Sequence, residues 1–355
     1  MGLKHVEIRQ VGAVLDVPEG RTMLEAALKA GIPYPHGCRS GRCGSCKSRL
    51  VHGEVDLLDH ARFALSDAEK AQGLILACRA LPRSDAAVSW LGGGEEVADH
   101  PLRRLQCRVV ALAAATHDIK RVRLAVDDAT PLAFAAGQYA RVTFPGAPPR
   151  DYSMANTPGD VDLEFHIRRI PGGAATTPIH ERLALGDTVT VEGPFGSSYL
   201  REKHAGPILC VAGGSGLAPI KAIVETAIAH GMRQPLHVYF GARTERDLYL
   251  VDHFEALQAR NANLAFTPVL SEARQPGKRR TGFVSDAVGQ DMRDFDGWKA
   301  YVAGPLAMVD AAMAVARARA LRPEDLHADV FFTPEVTPAA QPDADRQSNQ
   351  ERGQR

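Results

Sequence analysis

The chain has 355 residues, enough for two or three domains with separate cores. Lys plus Arg and Asp plus Glu both number 42, and this zero formal charge argues against nucleic acid as a bulk partner. No run of about 18 apolar residues occurs, so no membrane span is expected, and the opening Met-Gly-Leu-Lys-His lacks the apolar stretch of a signal peptide. A reducing, cytoplasmic setting without disulfides is the resulting expectation.

The first block, residues 1–95, opens with strand candidates at Val6–Arg9 and Val14–Val17, followed by a Pro18-Glu19-Gly20 turn. Thr22 and Glu25 form a capping box for a short helix that ends before Gly31 and Pro33. A second capping box, Ser66 with Glu69, starts another helix, and 91–96 is expected to be a linker.

The second block, residues 102–203, is rich in strands. Val122, Leu124 and Val126 alternate with polar or small residues, and further strands are expected at Gln138–Phe144, Asp162–Ile167 and Thr188–Val191. Short strands separated by Gly and Pro turns predict an antiparallel β-barrel.

The third block, residues 205–335, changes character. Pro207–Ala212 reads as a strand covered on both faces, and a helix with Ile220, Ile223, Val224, Ala227 and Ile228 on one side follows a glycine turn. Leu236–Gly241, Leu264–Leu270 and Lys299–Gly304 repeat the strand signal between helical segments, which predicts a parallel α/β unit. Residues 336–355 lack apolar periodicity and are expected to be a disordered tail. The short basic clusters Arg103-Arg104 and Lys278-Arg279-Arg280 read as solvated loops.

Six cysteines are present, and Cys107 and Cys210 lie in apolar runs that read as core. Cys38, Cys43 and Cys46 have the spacing Cys-x4-Cys-x2-Cys, and Cys78 lies farther on; this is plant-type [2Fe–2S] spacing. One tight loop can wrap three thiolates around two irons, and the interspersed glycines let backbone N–H groups approach the sulfurs. A structural zinc site is the bland alternative, with His36 as an additional candidate ligand, but the second closely spaced Cys or Cys/His pair favoured by zinc is missing.

Cys38–Cys78 resembles plant-type ferredoxin domains, and the remainder resembles the ferredoxin–NADP+ reductase superfamily. The order of the three blocks is similar to that of reductase components of bacterial multicomponent oxygenases. The resemblance implies a multidomain α+β and α/β protein, with a β-grasp ferredoxin-like domain, an FAD-binding antiparallel barrel and a nicotinamide-binding parallel domain. In Arg150-Asp151-Tyr152-Ser153 it assigns Arg150 to the FAD pyrophosphate, Tyr152 to the isoalloxazine face and the Ser153 hydroxyl to flavin N5. Gly172, Gly173 and Thr176 match a second pyrophosphate-cradling element. His166 and Arg168 are expected to line the flavin site, although His166 also reads as a satisfied strand histidine.

Gly213-Gly214-Ser215-Gly216 lies between a strand and a helix, where backbone N–H groups and the helix dipole favour an anion, and it matches the superfamily's nicotinamide-binding turn. By resemblance Arg243 approaches phosphate or adenine; the neighbouring Glu245 would repel a 2′-phosphate, so NADH is expected, with NADPH as the alternative. Ala303-Gly304-Pro305 resembles the Cys-Gly-Pro of the nicotinamide pocket, with Ala303 departing from it. Asp329 is expected near the nicotinamide and Phe331 stacked at the isoalloxazine.

The implied path runs from a nicotinamide substrate through FAD to the cluster, at roughly −400 mV, and on to a protein acceptor. A Rieske-type aromatic-ring oxygenase or its ferredoxin is the expected acceptor of a monomeric reductase. The reductase of a soluble di-iron monooxygenase and that of a deoxysugar pathway share the layout. A cluster-based redox sensor and a zinc-stabilised binding module are the non-enzyme readings.

Overall fold

The computed structural model describes residues 2–37, 39, 41, 44–62, 64–91, 100–128, 130–273, 277 and 279–331. Cys38, Cys43, most of the expected linker, Lys278 and everything after Phe331 therefore lie outside the described residues.

The first lobe is a five-stranded mixed sheet in the order Ala13–Pro18, Leu3–Ile8, Ala86–Trp90, Lys47–His52, Leu74–Leu76. Both expected capping boxes form. Thr22 Oγ1 accepts from Glu25 N at 3.3 Å while Glu25 Oε2 accepts from Thr22 N at 3.0 Å, starting the helix Met23–Lys29. Ser66 and Glu69 do the same for the helix Asp67–Ala71.

The barrel lobe is a six-stranded antiparallel sheet ordered Arg150–Ser153, Tyr139–Thr143, Thr188–Phe195, Arg103–Ala114, Ile119–Val126, Asp162–Arg168. A bridge between Met154 and Phe165 brings its two edges together, so the sheet nearly closes. Cys107 is fully buried in its core. Arg103 and Arg104 are not in a loop: they open the strand Arg103–Ala114, and Arg103 pairs with Asp128 at 2.7 Å. Arg279 and Arg280 are likewise paired, with Glu255 and Asp291.

The third lobe is a wholly parallel sheet ordered Arg280–Thr281, Leu264–Leu270, Leu236–Ala242, Ile208–Gly213, Lys299–Pro305, Leu326–Phe331. Every residue of Ile208–Gly213 is buried, as a strand covered on both faces requires. Its side chains alternate. Ile208, Cys210 and Ala212 pack with the helix Leu217–Ala229, whereas Leu209 and Val211 pack with residues of the helices Val284–Asp291 and Leu306–Ala318. The chain order reverses between Ile208–Gly213 and Lys299–Pro305, which opens a crevice at the carboxyl ends of these strands, where doubly wound sheets bind ligands.

Candidate functional site

A cleft of about 680 Å³ lies where the barrel meets that crevice. Parallel pairing sets Gly304 beside Val330 and Pro305 beside Phe331, so the ends of the last two strands are level. Pro305, Asp329 and Phe331 line one wall together with Gly213 and Ser215. The barrel supplies the opposite wall through Arg150, Tyr152, Ser153, His166 and Arg168, and the 170–176 loop closes one end.

Ser153 and Asp329 join the walls. Ser153 Oγ donates to Asp329 Oδ2 at 2.6 Å, although 176 residues separate them. The Tyr152 ring meets Phe144 edge-on, and its hydroxyl is buried without a hydrogen-bond partner among the described residues. Burial pushes this phenol up to about 12. An orphaned buried hydroxyl costs about 1–3 kcal/mol, and a polar ligand in the cleft would satisfy it. Arg150 is exposed at the start of its strand and donates to the Pro149 carbonyl, which leaves other donors of its guanidinium for an anion. The 170–176 loop is tight: a Cβ on Gly173 would lie 2.6 Å from Thr176 Oγ1, which itself accepts from Ile170 N at 2.9 Å. The Thr176 hydroxyl thus fixes the loop, while Gly172, at φ +67°, turns it. These features fit a flavin dinucleotide: one cation at the mouth, an aromatic wall and a glycine cradle.

The glycine turn 213–216 is packed backbone against backbone. A Cβ on Gly216 would come within 2.1 Å of Ala303 O, and one on Gly304, at φ +142°, within 2.8 Å of Gly213 O. Gly214, Gly216 and Gly304 therefore bring strand ends together and do not themselves line the cleft. Ala303 belongs to the core under the helix Leu217–Ala229. Arg243 is also outside the cleft, exposed and 3.3 Å from Asp247 Oδ1. The Asp247 carboxylate is thus beside this arginine, and Glu245 lies two residues from it in sequence.

His166 lines the cleft and is hydrogen-bonded at both ring nitrogens. Burial lowers its pKa, so the ring is neutral. Its Nε2 lies 2.8 Å from Glu164 Oε1, a carboxylate that can only accept, so Nε2 carries the proton. Nδ1 then accepts from the Tyr249 hydroxyl at 3.0 Å. Burial alone would raise the Glu164 carboxyl, but the hydrogen bonds from His166 and Arg121 hold it well below the usual range. Lys221, buried on the helix Leu217–Ala229, donates to Ala155 O at 3.0 Å and so ties the two lobes again. Arg168 is held by Asp118 at 2.8 Å and reaches the Gly214 turn, where a Cβ would lie 3.1 Å from its Nη1. His117, Asp118 and Asp247 could in geometry hold a metal ion, but Arg168, Arg243 and Arg246 already pair with them, which makes the group an ion-paired seam.

In the first lobe, Cys46 and Cys78 are buried side by side, with Cys78 N 3.5 Å from Cys46 Sγ. A backbone N–H aimed at sulfur suits a thiolate ligand. Gly41 and Gly44 hold positive φ of 74° and 79°, and a Cβ on Gly41 would lie 2.7 Å from Arg79 Cγ. This arrangement fits a cluster loop. His36 is engaged at both nitrogens, by Tyr34 O at 2.8 Å and Arg39 at 3.3 Å. Sequence reasoning missed Tyr139, Glu164, Lys221, Tyr249 and Asp118. A lysine amid the apolar run of a helix and a glutamate between Leu163 and Phe165 were the available signals for two of them.

Residues 6–83 match the family of 2Fe-2S iron-sulfur cluster binding domains, 106–199 that of oxidoreductase FAD-binding domains and 210–314 that of oxidoreductase NAD-binding domains. Over 322 residues the chain is 38% identical to the ferredoxin–NAD(P)+ reductase component of the naphthalene 1,2-dioxygenase/salicylate 5-hydroxylase systems of Ralstonia sp, covering 90% of this chain and 95% of the relative. It is 35% identical over 335 residues to the reductase component of phenol 2-monooxygenase from a Pseudomonas strain, covering 93% and 94%. The crystal structure of the Amycolatopsis reductase GcoB superposes with a TM-score of 0.74 at 38% identity, covering 93% of this chain and 99% of that one.

Proposed function

Because the chain belongs to the family of ferredoxin–NAD(P)+ reductase components of oxygenase systems, we propose from that premise which residues carry its electron transfer and which acceptor it serves. Bound FAD supplies the two-electron to one-electron conversion between nicotinamide and the [2Fe–2S] cluster. The observation that carries the assignment is the Ser153–Asp329 contact, which brings the flavin-type motif of the barrel to the carboxyl ends of the parallel sheet.

In this reading Arg150 neutralises the flavin pyrophosphate, Gly172, Gly173 and Thr176 shape its cradle, and Tyr152 and Phe331 flank the ring system. Asp329 orients the Ser153 hydroxyl by accepting its O–H, which leaves the serine oxygen able to accept from an N5–H of reduced flavin. The turn Gly213, Gly214, Ser215, Gly216 and the adjoining Gly304-Pro305 receive the nicotinamide dinucleotide at the switch point, with Arg168 placed over the turn for its pyrophosphate. His166, neutral and held at both nitrogens, fixes the junction. Cys38, Cys43, Cys46 and Cys78 ligate the cluster. The boundaries we propose are 1–95, 102–203 and 205–335, with 336–355 a tail; the three family matches and the four sheets of the described residues fall within the first three.

The nicotinamide is NADH, since Asp247 and Glu245 beside Arg243 would repel a 2′-phosphate. The acceptor is a Rieske-type aromatic-ring oxygenase or its ferredoxin, and the chain acts as a cytoplasmic monomer. Support comes from the dioxygenase-system relative; the phenol monooxygenase relative supports the di-iron reading as the alternative. The test compares kcat/KM for NADH and NADPH, then electron delivery to a Rieske ferredoxin and to a di-iron hydroxylase. Preference for NADH and rapid Rieske reduction are expected. Preference for NADPH would reverse the cofactor assignment, and turnover with the di-iron protein alone would reverse the acceptor.

A further inference from the structure

We propose that Tyr139 is the electron bridge between the flavin site and the iron–sulfur cluster, and that it also positions the cluster loop. The inference rests on the proposed flavin and cluster assignments.

Tyr139 opens the strand Tyr139–Thr143 and stands in register with Ser153 on the next strand. Its ring lines the same cleft as Ser153 and Phe331. Gly196 lets the ring lie close, since a Cβ there would sit 2.9 Å from Tyr139 Cδ1. Phe195 backs it, with centroids 5.7 Å apart. From this position the Tyr139 hydroxyl donates to Gly37 O at 2.8 Å, 102 residues away in sequence, and Gly37 itself lines the cleft. Gly37 immediately precedes Cys38, and Arg39, immediately after it, places its guanidinium 4.9 Å from the Phe195 ring centroid. Both chain neighbours of one cluster cysteine are therefore docked on the barrel next to the flavin cleft.

Electronic coupling falls more slowly across covalent and hydrogen-bonded links than across empty space. The path from the Tyr139 ring and hydroxyl to the Gly37 carbonyl crosses one short hydrogen bond, and Gly37 is the residue next to Cys38 in sequence. Tyr139 keeps its proton and is not oxidised. Each transfer removes one electron from reduced flavin and converts one ferric ion to ferrous, and NADH, oxidised by two electrons as a hydride donor, replaces what is lost.

The test uses full-length holoenzyme, wild type, Tyr139→Phe and Tyr139→Leu. The flavin is photoreduced by a flash with a sacrificial donor, which bypasses hydride transfer, and cluster reduction is followed by absorbance. Midpoint potentials of both centres and amide hydrogen exchange around Gly37 are measured in parallel. Losing one net hydrogen bond weakens docking of the loop by about fivefold. Tyr139→Phe is thus expected to slow cluster reduction about fivefold and raise exchange around Gly37 at unchanged potentials, and Tyr139→Leu to slow it further. Wild-type rates in both variants would overturn the proposal. So would slowing accompanied by a shifted potential, because driving force would then account for it. Failure of the underlying reading looks different: wild-type protein would lack iron, or its flavin would not bleach with NADH.

Discussion

Ser153 Oγ and Asp329 Oδ2 lie 2.6 Å apart across the junction of the barrel and the parallel sheet. The contact couples a hydroxyl fixed by the strand Arg150–Ser153 to a carboxylate fixed by the strand Leu326–Phe331, so either element displaced alone would break it. A hydrogen bond to a charged group contributes about 1.5–3 kcal/mol, equivalent to roughly 10- to 100-fold in a rate that depends on it. Ser153→Ala and Asp329→Ala are each expected to lower the rate of flavin reduction by NADH within that range. Flavin content should be retained. Single-turnover stopped-flow absorbance reads the rate, and the double variant should lose little more than either single one because the two groups act together.

Arg150 bears on cofactor retention. Its guanidinium lies at the cleft mouth, and loss of a charge-assisted bond to pyrophosphate is expected to weaken FAD binding about 10- to 100-fold in Arg150→Ala. Arg150→Lys should recover only part of this, because an ammonium lacks the planar fork. Flavin fluorescence on titrating the apoprotein measures both.

Cysteine substitutions separate the two classes of thiol. Cys46→Ser should abolish the cluster, as iron analysis would show, while NADH-dependent reduction of ferricyanide through the flavin persists. Cys210 lies fully buried in the core of the parallel sheet. Cys210→Ser is expected to leave iron unchanged and to destabilise the chain by about 1–3 kcal/mol, the cost of burying an unpaired hydroxyl. Loss of iron in Cys210→Ser alone would contradict the division.

Acid should weaken the junction through His166. Its pKa is depressed by burial, so the folded state holds it neutral while the unfolded chain takes up a proton below about 6.5. Stability is independent of this group above that pH and falls as pH drops from about 6.5 towards the folded value, by up to about 1.4 kcal/mol per pH unit. His166→Gln should be less stable at neutral pH but show a shallower acid slope below about pH 6.5. Denaturant unfolding at several pH values provides the comparison.

Local signals made much of the fold legible. Two capping boxes placed two helices, and the apolar run at Pro207–Ala212 marked the buried strand Ile208–Gly213. The strand Leu264–Leu270 was legible to its ends, whereas Val6–Arg9 moved to Leu3–Ile8 because antiparallel pairing with Ala13–Pro18 sets its limits. Arg150–Ser153 carries too few apolar residues to read as a strand and exists because Tyr139–Thr143 pairs with it. The long strand Arg103–Ala114 showed only Leu105, Cys107 and Val109 as alternating core. The resemblance named most residues of the cleft, Ser153 and Asp329 across its walls among them, but not Tyr139 and Tyr249, which hold Gly37 and His166 in place. Gly37 with Tyr139 and His166 with Tyr249 are separated by 102 and 83 residues, and no periodicity reports such pairs. The aromatic Tyr139 on the outward side of a strand whose Ala140 and Val142 face the core was the one local hint.

An anaerobic titration of the purified holoprotein with NADH, followed by visible absorption and electron paramagnetic resonance, tests the electron path most directly. Bleaching of the flavin bands together with the signal of a reduced [2Fe–2S] cluster is the predicted result. A flavin that bleaches with no cluster signal, or a protein that stays oxidised with NADH, would contradict it.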